Sequence, residues 1–435
     1  MTYPNIILLT IDSLRSDKVY GALKKSKIPN FDKIINEGLF FSTTISSIDA
    51  TDPSLGCIFT GKYPFKHKIT LFQNHEKASF LFDYLNKLGY TRCSLLPNKT
   101  FFKTLSKDFE SAQFYDIDPY TLLYQGTGKR ILKQLESNSV TEPWIYYVHL
   151  MDLHPSGHQF YYPKEFALEK FGNTDYEKAL SALDFWIGKI IQKIDNSKTL
   201  FILTSDHGDF IPQNNKRIDD IYSIQKTLRP LKKILPFDDT FWESGMKTAK
   251  FFAKKIRTKK LNKVSNQEKR TYLKRAEGNL FDETLKVPLI FFGHNILDKS
   301  IIHSQVSHTD ILPTILHLLN QPNYSNLDGV SLLPLDKNNL KNRTIYYESA
   351  STSPDKLGHS IGIRTQKYKY FRSREKKSLY LYDIELDPYE ENNISNSTEI
   401  VTKMEENLLE ILGLENYKEN LKNIIKKKRS SLKLK

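Results

Sequence analysis

TLFILTSDHGD, residues 199–209, is the stretch whose reading decides the fold. Its first seven residues, TLFILTS, have the apolar and β-branched character of a strand buried on both faces of a parallel sheet. The run stops at Asp206-His207-Gly208-Asp209. Open α/β sheets collect ligands outside the carboxyl ends of their strands. An Asp and a His side by side at that place are the donor types that a divalent cation takes. Gly208 lets the chain turn sharply while both side chains aim at one spot.

Three other apolar runs end the same way. NIILLTI, residues 5–11, runs into Asp12-Ser13. WIYYVHL, residues 144–150, runs into Met151-Asp152-Leu153-His154-Pro155, which puts His154 at a strand end as a general acid or anion contact. TRCSLLPN, residues 91–98, ends in Asn98, a hydrogen-bond donor to an oxyanion or a turn residue before Lys99. VPLIFF, residues 287–292, is a further buried strand, preceded by Lys286. Helices are predicted over 29–40, closed by Gly38, over 80–88, closed by Gly89, and over 176–194, with Leu183, Trp186, Ile187 and Ile190 on one face. VSHTDILPTILHLL adds a strand end and a helix, with His308 and Asp310 capping and Pro313 in the first turn. Arg15 and Asp17 pair locally.

This alternation predicts a doubly wound, mostly parallel α/β sheet flanked by helices. Residues 344–348, 361–371 and 379–383 read as antiparallel strands. The expected organisation is an α/β domain over 1–340, a C-terminal β-rich subdomain over 341–412 and a basic tail over 413–435. Within the first lies a mostly helical insertion, 210–277, with 18 Lys or Arg against 7 Asp or Glu.

ATDPSLGCIFTGKYPFKH, residues 50–67, supplies the reactive group. Thr51 or Asp52 reads as the N-cap of a helix, with Pro53 at its first position. A hydroxyl held at a helix start is also placed as a nucleophile, because the first-turn N–H groups and the helix dipole stabilise an attacking oxyanion and a nearby anionic substrate.

The net charge is +14 over 435 residues, and the insertion carries +11 of it. That suits an anionic membrane surface or polymer rather than a specific nucleic acid, since no aromatic RNA-binding motif is present. Cys57 and Cys93 are the two cysteines, too few for a disulfide framework. No run of about 20 apolar residues exists, so no transmembrane helix is expected. The start, MTYPNIILLT, lacks a basic n-region and reads straight into a strand, so a cytoplasmic chain, possibly peripheral to a membrane, is the expectation. Nothing in the sequence specifies an oligomer.

Asp12, Asp206 and His207, with Thr51, give mostly oxygen donors and one imidazole. That set suits one Mg²⁺, Ca²⁺ or Mn²⁺ ion, with Zn²⁺ less favoured. An ion beside Thr51 stabilises its alkoxide and polarises an ester oxygen. The implied reaction is nucleophilic displacement at a sulfuryl or phosphoryl centre of an anionic ester, through a covalent Thr51 intermediate that water hydrolyses. His154, with Asn98, would contact the substrate anion.

PNIILLTIDSLRSD, TDPSLGCIFTGKYPFKH, HLMDLHP, LTSDHGD, LFDETLKVPLI, TDILPT and LYDIELDPYEEN occur in this order over residues 4–393. This ordered set resembles the sulfatase family of the alkaline phosphatase superfamily. The resemblance implies a metal site at Asp12, Asp206 and His207, completed by the nucleophile, and a substrate-anion contact from His154. Formylglycine sulfatases carry CxPSR at the nucleophile; here Thr51 stands for the cysteine and Leu55 for the arginine, so no formylglycine is expected. Cys57 lies outside the motif's register. Ser13 replaces the second carboxylate that many sulfatases carry. Pro97-Asn98 stands where a lysine and a histidine are expected after the next strand. A threonine nucleophile resembles the phosphodiesterases and phosphoethanolamine-type transferases of the superfamily. The extra Asp and two His of two-metal relatives are not assignable. A non-catalytic binder of anionic polymer or membrane is the competing reading.

Overall fold

The computed structural model describes residues 3–72, 80–116, 122–136, 140–155, 160–211, 265–271, 273–322, 326–336, 340–353 and 356–414. Nine strands form the central sheet: β1 (Asn5–Ile11), β2 (Leu39–Ile45), β3 (Thr91–Pro97), β4 (Ser111–Tyr115), β5 (Trp144–Leu150), β6 (Thr199–Thr204), β7 (Lys286–Gly293), β8 (Ser300–Ile302) and β9 (Val306–Ser307). Their order is β4-β3-β5-β1-β6-β7-β2-β8, with β9 also on β2. Neighbours pair in parallel except at β7, which runs against both β6 and β2. The sheet is thus the mostly parallel one expected, with one reversed strand that an apolar run does not reveal.

The helices used below are α1 (Pro29–Glu37), α2 (Thr51–Thr60), α3 (Phe80–Lys87), α4 (Asp175–Lys193), α5 (Ile311–Leu318) and α6 (Thr398–Ile411). α1 is closed by Gly38, but in an extended conformation (φ −118°) rather than a left-handed one. Glycine is required there for room: a Cβ would sit 2.6 Å from the carbonyl oxygens of Ile34 and Phe291. α4 starts at a capping box, Thr174 accepting from Glu177 N–H while the Glu177 carboxylate accepts from Thr174 N–H.

One face of the sheet carries the main core. Register aligns Ile6 with Ile145 and Leu200, and Leu8 with Tyr147 and Ile202. Leu55, Ile58 and Phe59 of α2, Leu81, Phe82 and Leu85 of α3 and Ile311, Leu312 and Ile315 of α5 join the same buried cluster. Burial of such side chains, at about 1.5–3 kcal/mol each, is what seats α2 on the sheet.

The smaller sheet is an antiparallel meander of β10 (Ile345–Glu348), β11 (Ser360–Arg364), β12 (Tyr368–Ser373) and β13 (Leu379–Asp383). The expected single strand over 361–371 is therefore two strands, because Thr365 N–H bonds Tyr368 O (2.8 Å) and turns the chain. α6, which sequence reading missed, lays Met404 and Leu408 against Tyr370, Ile363 and Leu381. Lys369, fully buried, reaches Asp282 (2.6 Å) and Glu390 (2.7 Å), so an ion network pins the segment before β7 to this sheet. Phe210–Lys274 forms a separate compact unit. Residues 212–264 of the insertion and 415–435 of the tail lie outside the described residues.

Candidate functional site

The apolar rows of the sheet end in a polar one. Thr10 is in register with His149 on one side and Thr204 on the other. Two residues further, on the same face, come Asp12 and Asp206. The strand order β5-β1-β6 therefore sets Asp12 between the ends that carry His154 and Asp206.

The turns after β1 and β6 are held by specific bonds. Ser13 has φ +62°, a conformation a non-glycine residue adopts at a cost. It lets Ser13 N–H reach Asp206 Oδ1 (3.3 Å) while Ser13 Oγ donates to Asp12 Oδ1 (2.7 Å). Tyr176 O–H clamps this turn, donating to Ser13 O (2.9 Å) and accepting from Arg15 N–H (3.1 Å). The Asp206 carbonyl accepts from Ser46 (2.8 Å) and from Ser54, whose oxygen in turn faces His308 Nδ1 (3.0 Å). Gly208 does not need a positive φ; it needs closeness, since a Cβ would lie 2.1 Å from Glu283 O.

Thr51 is not the N-cap. Ala50 is, and Thr51 opens α2 with its hydroxyl free for the site. Thr51 Oγ1 lies 3.3 Å from Asp12 Oδ2 and 3.3 Å from His207 Nε2. His207 Nε2 is also 3.3 Å from Asp206 Oδ2. His207 Nδ1 bonds Gly208 O (2.9 Å), which fixes the tautomer with Nε2 as the acceptor. Thr51, Asp12, Asp206 and His207 thus meet at one point. Thr51 alone of the four is partly exposed.

Sequence reasoning missed Arg275. Its Nη1 donates to His207 Nε2 and to Asp49 O (3.3 Å), and its Nε lies 3.4 Å from Asp209 Oδ2. Asp49 holds the segment that delivers it: Oδ2 accepts from Ala276 N–H (2.8 Å) and Oδ1 from Ala350 N–H (2.7 Å). Ala276 sits at φ +59°, so this delivery also stores strain. His149 was missed too: it ends the polar row, and its Nε2 lies 3.9 Å from Asp12 Oδ2. Lys99 stands two residues beyond the end of β3, and its charge acts on Asp52, His149 and His154. Asn98 is exposed, with its N–H on Tyr115 O (2.9 Å).

The electrostatics follow from burial and these neighbours. Burial raises the Asp12 pKa, yet His154, His149, His207 and Arg275 outweigh it and hold the carboxyl well below its usual range. Asp206 is pushed well up by burial and then by the charge of Asp12. His207 is pushed well down by burial and by Arg275, and His154 is lowered by burial, Lys99 and Arg275. Burial raises Asp52 to about 7.

Two buried carboxylates of opposite pKa direction, side by side, make a place that a cation relieves. Asp206 Oδ2 and His149 Nε2 are buried without a hydrogen-bond partner. One ligand atom each from Asp12, His149 and Asp206 lies within 4.8 Å of the others. The residues fit a divalent ion.

Known proteins share this architecture. The sulfatase family profile matches residues 4–321, and the profile described as N-sulphoglucosamine sulphohydrolase, C-terminal, matches 268–414. An N-acetylglucosamine-6-O-sulfatase of Bacteroides thetaiotaomicron is 22% identical over 96% of this chain and 87% of its own length. An ulvan-active sulfatase of Formosa agariphila is 21% identical over 91% and 76%. Arylsulfatase K of Gallus gallus is 23% identical over 67% of this chain, which spans 56% of that protein. Among solved structures, one in complex with its substrate D-glucosamine-2-N,6-O-disulfate superposes with a TM-score of 0.64 at 15% identity, covering 97% of this chain and 98% of that one. The phosphonate monoester hydrolase of Agrobacterium radiobacter superposes with a TM-score of 0.63 at 15% identity, covering 96% of each. These last two likenesses show the fold. The match of the family profile over most of the chain, with the ordered site motifs on its strand ends, establishes that this chain belongs to the sulfatase family of the alkaline phosphatase superfamily.

Proposed function

We propose that the protein is a metal-dependent hydrolase of sulfuric or phosphoric esters that works through a covalent adduct on Thr51. One observation carries the reading: Thr51 Oγ1 stands 3.3 Å from both Asp12 Oδ2 and His207 Nε2, at the start of α2. Asp12, Asp206, His207 and Thr51 would hold one divalent cation, for which His207 Nε2 would give up its hydrogen bond from Arg275. When bound, the ion supplies Lewis-acid stabilisation of the threonine oxyanion and of the ester oxygen.

The chain's own residues do the rest. Thr51 releases its hydroxyl proton to solvent, and its oxygen attacks the sulfur or phosphorus while the bond to the alcohol breaks. Arg275 and Lys99 attract the anionic group. Its negative charge raises the pKa of His154, and the imidazolium passes a proton to the departing alkoxide. Water then cleaves the Thr51 adduct.

Relatives that act on sulfated sugars support an anionic sugar ester as substrate. The +11 charge of the insertion supports an anionic polymer over a small ester, by raising its local concentration at low salt. A second reading, transfer of a phosphoryl-type group to an acceptor alcohol, is favoured by one feature. Thr51 bears a single hydroxyl, so its adduct leaves only by attack of an outside nucleophile, water or alcohol.

The test is a panel of chromogenic sulfates, phosphate monoesters and diesters, with and without glycerol as acceptor, against wild type and Thr51→Ala. We expect turnover to fall by at least about a thousandfold in the variant, as for loss of a covalent nucleophile. Turnover unchanged in folded Thr51→Ala removes the reading.

A further inference from the structure

We propose that His149 is itself a ligand of the cation site, filling from β5 the place that Ser13 leaves without a carboxylate. The proposal rests on the metal-dependent reading above and adds a donor that the family's motifs do not assign.

His149 is fully buried. Its Nε2 has no hydrogen-bond partner and lies 3.9 Å from Asp12 Oδ2, too far for a hydrogen bond and near the separation of two atoms that share one ion. The ligand atoms of Asp12, His149 and Asp206 lie within 4.8 Å of one another. Two bonds of about 2.0–2.2 Å, to imidazole and carboxylate, can span the 3.9 Å between His149 Nε2 and Asp12 Oδ2 across a single centre.

The other ring nitrogen is held as in a ligating histidine. Nδ1 lies 2.7 Å from Thr10 Oγ1. Thr10 Oγ1 donates its proton to Val148 O (3.4 Å) and has the Tyr147 hydroxyl at 3.0 Å. In the tautomer that a metal ligand requires, Nδ1–H donates to Thr10 Oγ1, whose own proton can turn to Val148 O. The Nε2 lone pair is then left facing the two carboxylates. Phe102 packs on the ring at 4.7 Å and keeps its plane. Ser13, the residue after Asp12, brings only a hydroxyl, and spends it on Asp12 Oδ1.

The consequence is chemical. With His149 the set becomes two carboxylates, two imidazoles and one hydroxyl. Calcium and magnesium take oxygen donors, whereas Mn²⁺, Fe²⁺ and Zn²⁺ accept imidazole readily. The site is thus assigned to a transition-metal-type dication.

The test reads the metal, not turnover. Wild-type protein is loaded with Mn²⁺ and its ¹⁴N couplings are recorded by electron spin-echo envelope modulation, alongside Mn²⁺, Zn²⁺ and Ca²⁺ affinities by calorimetry. Two coordinated nitrogens are expected, one of which disappears in His149→Gln, with Mn²⁺ and Zn²⁺ affinity falling about 100-fold or more, above the loss seen for outer-shell partners. Ser13→Asp added to His149→Gln should restore binding and shift preference to Ca²⁺. Nitrogen couplings that persist unchanged in folded His149→Gln overturn this inference alone. Absence of Mn²⁺ binding to wild type overturns it together with the metal-dependent reading. The Thr51 mechanism is judged separately, since no substrate is present.

Discussion

Arg275 Nε lies 3.4 Å from Asp209 Oδ2, so the residue before the separate unit Phe210–Lys274 and the residue after it are joined by an ion pair. The same guanidinium donates to His207 Nε2. The guanidinium is therefore fixed between Asp209 and His207, and the segment that presents it is fixed by Asp49.

Arg275→Ala should raise KM for an anionic ester by about tenfold to a hundredfold, the weight of one or two charge-assisted hydrogen bonds. Arg275→Lys should recover only part, because lysine lacks the planar fork that meets two partners. Asp49→Ala should reproduce the Arg275→Ala defect by releasing the turn at Ala276. The double variant should be no worse than either single one. Steady-state kinetics of the four proteins form the cycle, and additive losses would separate Asp49 from Arg275.

Chelation should destabilise the protein. A cation held at one hundred times its dissociation constant contributes about 2.7 kcal/mol to the folded state. Thermal melts with and without EDTA should differ by several degrees, and the difference should vanish in Asp206→Ala. A melt indifferent to chelator in wild type would argue against a resident ion.

His308 gives stability a pH dependence of known sign. Burial lowers its pKa from 6.5 to about 3. Between those values the unfolded chain binds a proton that the folded chain does not, so stability from this group is present above pH 6.5 and is lost as pH falls toward 3. The slope is at most about 1.4 kcal/mol per pH unit. Urea midpoints at pH 4.5 and 7, as chosen conditions of about those values, should differ less in His308→Asn, whose amide can still donate to Ser54 Oγ.

Gly208→Ala should cost about 1–3 kcal/mol, the range for overpacking. The added carbon meets a backbone oxygen, Glu283 O, which cannot swing aside as a side chain would. Since Gly208 N–H also bonds Thr284 O (2.8 Å), relief by moving the turn would carry His207 with it. Urea denaturation measures the stability, and metal titration of the same variant should show weakened binding.

Much of the candidate site was legible because its polar residues punctuate apolar runs. Asp12, His154, Asp206 and His207 follow strands whose buried residues leave no other reading of where the strand stops. Thr51 was legible from the proline and small residues after it, though its position as first helical residue rather than cap was not. His149 was hidden because it lies inside a run, one residue before the strand ends, and a histidine among aromatic residues gives no period of its own. Its signal is available only once the register with Thr10 is known. Arg275 was hidden among 18 basic residues, none of which the sequence distinguishes. The direction of β7 was equally invisible, since a strand buried on both faces reads the same either way.

That direction has a consequence for how the architecture can change. Because β7 runs against β6, it begins at the rim where β6 finishes. A parallel successor would oblige the chain to cross the full height of the sheet before pairing again, on a connector of a dozen residues or more. The hairpin-like return imposes no such length. Chain can be spliced between Asp209 and Arg275 in any amount without altering a rung of either strand. Lineages of this fold therefore have a standing door through which new polypeptide can be added, and it opens two residues beyond His207.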